Sequence, residues 1–171
     1  MKNLLIALSL SGFVYSAYAC TNANTQQNIT ETTIVQAENN PEFADAKINA
    51  VYQSYIALKN ALVANDNALG TSASKALVVA AKEAGLNLKN LNAVANAKNV
   101  DAKRAKFNEL SLELVDVFKA NKLAKGVVYK QYCPMANSNK GGFWLASEKK
   151  VRNPYYGDKM MSCGSVKEEI K

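Results

Sequence analysis

The sequence predicts a mainly α protein, an antiparallel three- to four-helix bundle that carries a small C-terminal β/irregular module. Three observations predict it. Apolar residues recur at three- and four-residue spacing in three stretches before Gly126, glycine and asparagine punctuate those stretches, and the composition turns β-favouring after Gly126. The chain then divides into an export segment over 1–19, a flexible tether over 20–40, the helices over 41–126 and the module over 127–171, packed on the bundle.

The helices follow from their punctuation. Asn40-Pro41-Glu42 reads as an N-cap, a proline at the first helical position and a first-turn acid, with Gly70 as the closing glycine. A helix is expected from about 41 to 68, with Ile48, Val51, Tyr55, Leu58 and Leu62 on its apolar face. Thr71 or Ser72 caps a second helix, whose stripe of Ala73, Leu77, Ala80 and Ala84 ends at Gly85. Between 86 and 99 asparagines interrupt the pattern, and Leu88, Leu91 and Val94 support a short or irregular helix. A third strong helix starts near Asp101, aligns Phe107, Leu110, Leu114, Val117 and Phe118, carries Lys119, Lys122 and Lys125 in its last turns, and stops at Gly126. Because these caps and stripes agree with one another, 41–126 is expected to hold its fold as a unit.

In the module, 127–133 and 141–145 read as short strands and 153–158 (NPYYGD) as a turn cluster. Charge divides at the same place. Residues 1–97 hold six basic and six acidic groups, whereas 98–171 hold fifteen and eight, so the net charge of +7 lies in the second half.

The beginning of the chain reads as a targeting segment. Lys2 precedes an uncharged run of 16 residues, 4–19, that ends in Ala17-Tyr18-Ala19. The run is shorter than the ~20 residues of a spanning helix, so a cleaved signal peptide is expected, and with it an exported protein. Cys20 follows at once, in the position where bacterial lipoproteins are cut and acylated, so Cys20 is the expected lipidation site and the protein a periplasmic or outer-membrane lipoprotein. Residues 21–40 are rich in Asn, Thr and Gln with few bulky apolar side chains, a tether of roughly 25 Å reach.

Export bounds the chemistry. No histidine is present, which excludes histidine-activated nucleophiles and histidine-containing metal cages. With Cys20 lipidated, Cys133 and Cys163 remain as a pair in an oxidising compartment. Each lies in a sulfur-bearing fragment, Cys133-Pro134-Met135 and Met160-Met161-Ser162-Cys163. In extended backbone, residues two apart share a face, so each fragment can present two sulfurs together. Thiolate and thioether ligands select soft monovalent ions, so Cys133, Met135, Met160, Met161 and Cys163 are the candidate ligands of Cu(I) or Ag(I). Trp144, the only tryptophan, is a candidate cation–π cover or a hydrophobic anchor of the module. The alternative is structural: a Cys133–Cys163 disulfide closes a loop of about 30 residues and stabilises by roughly 3 to 4 kcal/mol in the loop-entropy model.

The segments 129–136 (YKQYCPMA), 142–147 (GFWLAS), 151–161 (VRNPYYGDKMM) and Cys163-Gly164 resemble a family of uncharacterised exported bacterial domains. Such domains occur alone as lipoproteins and at the end of periplasmic adaptor subunits of copper/silver efflux systems. The likeness spans about 45–168, since the alanine-rich helices resemble that family too. It implies a periplasmic helical domain associated with heavy-metal handling, with the Cys-Pro-Met and Met-x-x-Cys-Gly fragments as ligands. Tyr132 stands where members of that family often carry His.

Two classes of function follow. One is a soft-metal binding protein at a periplasmic membrane surface, with the metal ion and a metal efflux complex or other periplasmic protein as partners. The other is a disulfide-stapled, non-catalytic interaction module that docks through Phe143, Tyr155 and Tyr156. No enzyme is expected, because Cys133 as a nucleophile has only Lys130 or Lys159 as a nearby base. Nucleic acid is not expected as a partner of an exported chain whose lysines are interleaved with acids.

Overall fold

The computed structural model describes residues 39–171. The export segment, Cys20 and the tether up to residue 38 lie outside the described residues. About half of the described chain is helical, and small antiparallel sheets lie mainly in its C-terminal part.

Residues 42–43 form a short strand, β1 (Glu42–Phe43), and not the first turn of a helix. It pairs antiparallel with β2 (Leu123–Lys125). Proline is tolerated at that strand start, where Pro41 is buried against Gly126. The first helix, α1 (Ala46–Val63), is capped by Asp45, whose carboxylate accepts from the N–H groups of Lys47 (2.8 Å) and Ile48 (3.1 Å). Asp45 outcompetes Asn40 because the strand takes up the residues between them.

The turn into α2 (Asn67–Glu83) comes earlier than Gly70. Asn65 supplies the left-handed residue (φ 56°), which asparagine adopts at low cost, and Asp66 caps the new helix at Leu69 N–H. Gly70 therefore lies inside α2, with Lys103 and Ala61 against it, and neither Thr71 nor Ser72 is a cap. Gly85 follows the end of α2 with positive φ, as expected. Next come the short α3 (Leu91–Ala95) and α4 (Val100–Ala120), whose N-cap Asn99 accepts from Ala102 N–H at 2.8 Å. The last helix ends before Gly126, so Lys122 and Lys125 lie beyond it, Lys125 in β2. Gly126 (φ 78°) makes the turn between β2 and β3, where a Cβ would meet Pro41 Cα at 2.8 Å.

The module is a three-stranded antiparallel sheet of order β4-β3-β5, built from β3 (Val128–Cys133), β4 (Gly142–Ala146) and β5 (Ser165–Ile170). The last strand was not expected from the sequence, because half of SVKEEI is charged. Ion pairs hold it: Glu168 meets Lys119 of α4 at 2.6 Å and Lys130 of β3 at 3.7 Å. Cross-strand partners include Gln131 with Trp144, Cys133 with Gly142 and Val128 with Ile170.

One apolar core joins helices and sheet. Tyr55 stacks on Phe107 at 5.3 Å, Phe107 meets Tyr155 at 6.0 Å, and Tyr155 meets Trp144 at 6.0 Å. A second aromatic group, Phe43, Tyr52 and Phe118, joins β1 to α1 and α4 with centroids 5.0–5.5 Å apart. Each fully buried side chain of this size contributes roughly 1.5–3 kcal/mol. The outward N–H groups of β4 are also taken up by helices. Phe143 N–H donates to Asn108 Oδ1 (2.9 Å) and Leu145 N–H to Tyr55 Oη (3.0 Å), so this sheet edge is covered. Among the described residues no helix is long and apolar enough to cross a membrane.

Candidate functional site

Cys133 closes β3 on the sheet face that also carries Gln131 and Trp144. Residues 147–164 fold back over that face, and Gln131 Nε2 donates to the carbonyls of Glu148 (2.9 Å) and Lys149 (3.3 Å). The returning segment brings Cys163 Sγ to 2.7 Å from Cys133 Sγ. Both are free cysteines; Cys133 is fully buried and Cys163 half-buried. The neighbouring Cys133 sulfur, with burial as a smaller cause, pushes the Cys163 thiol up to about 11.

Asn153, fully buried, sets this geometry. Its Nδ2 donates to Cys163 O (2.9 Å), its N–H donates to Met161 O (2.9 Å), and its Oδ1 accepts from Tyr155 N–H (2.8 Å). A single side chain thus ties both ends of the segment together, a role that the NPYY turn signal did not reveal. Gly164 completes the approach. It has φ 138°, and a Cβ there would meet Trp144 Cη2 and the Tyr132 carbonyl oxygen, each at 2.9 Å.

The methionines occupy turns and not the extended fragments expected. Met135 has helical backbone angles, so it does not continue the face of Cys133. Met161 is also helical, at the end of the 3₁₀ turn Gly157–Met160, and Cys163 N–H donates back to Met160 O at 3.1 Å. Proline and the 3₁₀ turn curl both fragments, so the mirrored-strand rationale fails although the cysteines do meet. Met135 is 43% exposed, while Met160 and Met161 are half-buried. The Tyr156 hydroxyl donates to Met135 O, which ties the Met135 turn to the segment bearing the other two. Next in that turn, Asn137, Ser138 and Asn139 all have positive φ, 52–65°.

Trp144 has no exposed surface, and its indole N–H has no protein partner among the described residues. The cation–π contacts place Lys130 over Phe143 (4.8 Å) and Lys167 over Tyr132 (5.8 Å). Of the aromatics considered for docking, Tyr155 is buried, while Phe143 and Tyr156 are half-buried. A cleft of about 280 Å³ beside the Met135 turn is lined by Asp101, Arg104, Asn137, Ser138, Tyr155 and Tyr156. Arg104 is a clasp within it, donating to Pro154 O, Leu62 O, Asn65 Oδ1 and Asp101.

Among the described residues no three His, Cys, Asp or Glu side chains form a group able to hold a metal ion.

Over residues 51–126 the chain matches a family model described as "Protein of unknown function (DUF3347)". The match begins inside α1, runs through α2, α3 and α4, and stops before Cys133. No curated protein and no solved structure matches.

Proposed function

We propose that this is an exported soft-metal binding protein, held at a membrane surface by lipid on Cys20, that handles Cu(I) or Ag(I) in the periplasm, alone or beside a heavy-metal efflux complex. One observation carries the reading: the fold brings two thiols together, one of them half-exposed, in a module that holds all three methionines of the chain other than the first residue, and their 2.7 Å separation has to widen for both sulfurs to hold one ion. Two thiols and no imidazole, in a module that also carries three thioethers, form a soft donor set, which suits Cu(I) and falls short of the four-coordinate N/S shell of structural zinc. In this reading the helices serve as an antiparallel bundle that scaffolds the site. Cys133 and Cys163 are the strong ligands, Met135, Met160 and Met161 the weak ones, and Trp144 backs the site from the core.

Competition with a Cu(I) chelator under reducing, oxygen-free conditions tests it. Affinity is expected to fall greatly in Cys133→Ser/Cys163→Ser and modestly in Met135→Leu or Met161→Leu. Equal, weak binding by all variants overturns the reading. The same sulfur separation favours a second one, the disulfide-stapled interaction module. A thiol count on protein purified without reductant separates the two: neither Cys133 nor Cys163 reacts in a staple, and both react in a metal site. Mass spectrometry of the native N-terminus, with acylated Cys20 expected, tests the anchor.

A further inference from the structure

We infer that Cys133 and Cys163 form a redox gate on the metal site, with Cys163 as the entry thiol for thiol–disulfide exchange and Cys133 as the resolving thiol. The inference rests on the soft-metal reading above and adds its regulation.

Three observations carry it. Exposure is asymmetric: Cys133 is 0% exposed at the inner end of β3, while Cys163 is half-buried. A disulfide-bearing molecule in solution reaches Cys163 and not Cys133; access selects the entry thiol, while the neighbouring Cys133 sulfur, which holds the Cys163 thiol up, makes the exchange slow at neutral pH. The apposition is also independent of the sulfurs, since Asn153 fastens the Met161 and Cys163 carbonyls and Gly164 leaves free the space that a Cβ would contest with Trp144 and the Tyr132 carbonyl. The pair is therefore poised whether or not it is bonded. Finally, the remaining soft donors are thioethers on surface turns, which bind a soft ion less strongly than thiolates.

The oxidant is a small-molecule or protein disulfide, RSSR. The Cys163 thiolate attacks one sulfur of RSSR, forms a mixed disulfide and releases RS⁻, which takes up a proton. The Cys133 thiolate then attacks the Cys163 sulfur, closes the Cys133–Cys163 bond and expels the second RS⁻, which is likewise protonated. Two thiols of the protein become one disulfide, RSSR becomes two RSH, and two electrons pass from protein to RSSR. In the bridged state neither sulfur is a thiolate, so the soft ion is released. A dithiol reductant reverses the change.

The test uses the full chain with glutathione disulfide as RSSR, acid-trapped at short times and mapped by peptide mass spectrometry so that Cys20 is read separately. The first adduct on wild type is expected at Cys163, followed by loss of both thiols. Cys133→Ser is expected to accumulate the adduct at Cys163, and Cys163→Ser to react at Cys133 at least about tenfold more slowly. The wild-type time course decides the entry point even if a serine variant misfolds. Cu(I) competition is then run on the oxidised protein and again after reduction. Outer-shell changes alone cost roughly 10- to 100-fold in metal affinity, so loss of both thiolates is expected to exceed about a hundredfold and to be recovered on reduction. First adducts at Cys133 overturn the entry assignment, and unchanged Cu(I) affinity after oxidation overturns the gate. If the reduced protein binds no Cu(I), the soft-metal reading itself fails, and the adduct position still reports the direction of exchange.

Discussion

The phenolic oxygen of Tyr55 in α1 accepts the backbone N–H of Leu145 in β4 at 3.0 Å, and the same hydroxyl pairs with Ser111 Oγ of α4 at 2.8 Å. One side chain thus binds two helices to the edge of the sheet. Tyr55→Phe leaves the buried Leu145 N–H without an acceptor, which costs about 1–3 kcal/mol. A lower Tm is expected, by roughly 3–5 °C for each kcal/mol lost in a domain of this size. An unchanged Tm would show that the strand finds another acceptor.

The same contact bears on the helices taken alone. Truncation after residue 126 removes Leu145, Trp144 and Tyr155 from the core that Tyr55 and Phe107 share. Their self-consistent caps predict that the helices fold as a unit, whereas the shared core predicts that the fragment retains helical circular dichroism but unfolds without a sharp transition. A cooperative melt near that of the whole chain would restore the independent unit.

Burial holds the Tyr52, Tyr55 and Tyr155 hydroxyls well above the ordinary tyrosine value. Their folded values exceed the unfolded value of about 10, so their contribution to stability is fully present below pH 10 and is lost as pH rises above it. Burial, opposed by Glu148, lowers the folded value of Lys59, which acts in the opposite sense below about 10.4. Denaturation midpoints are expected to fall once the pH passes about 10, together with tyrosinate absorbance, and to fall less steeply in Tyr55→Phe.

Lys59, with no exposed side-chain surface, pairs with Glu148, which is 29% exposed. Glu148→Gln leaves a buried cation without its counter-charge. The expected loss is roughly 1–3 kcal/mol, below the 3–5 kcal/mol of fully buried pairs because solvent reaches Glu148. Lys59→Met is expected to stay within about 1 kcal/mol of wild type, since an apolar side chain of similar length replaces a costly charge. Urea denaturation of both variants checks this, and a larger loss in Lys59→Met than in Glu148→Gln would contradict it.

Gly164→Ala drives a methyl group into Trp144 and the Tyr132 carbonyl at a φ that L residues rarely adopt. A loss of about 1–3 kcal/mol is expected, together with slower closure of the Cys133–Cys163 bond as the segment lifts from β3. Gly85→Ala is the comparison. Its Cβ meets nothing within 4 Å, so it is expected to cost only the left-handed backbone penalty of about 1–2 kcal/mol and to leave thiol closure unchanged. Equal closure rates in the two variants would remove Gly164 from the site.

The sequence by itself determined the helices, the two strands around Cys133 and Trp144, and the turn at 153–158, because these depend on local periods and on residues with special backbone preferences. It also singled out the two cysteines and the methionines by their spacing. Helix boundaries moved where two caps competed: Asp45 displaced Asn40 because β1 pairs with the distant β2, and Asp66 displaced Thr71 because Asn65 turns the chain locally. The charged β5 became visible only through Lys119 and Lys130, contributed by other elements. The apposition of Cys133 and Cys163 likewise belongs to the tertiary structure, because it depends on Asn153 fastening a returning segment and on Gly164 admitting it against Trp144. Contacts between residues far apart in the chain leave no period in the sequence, and only the folded core brings their partners together.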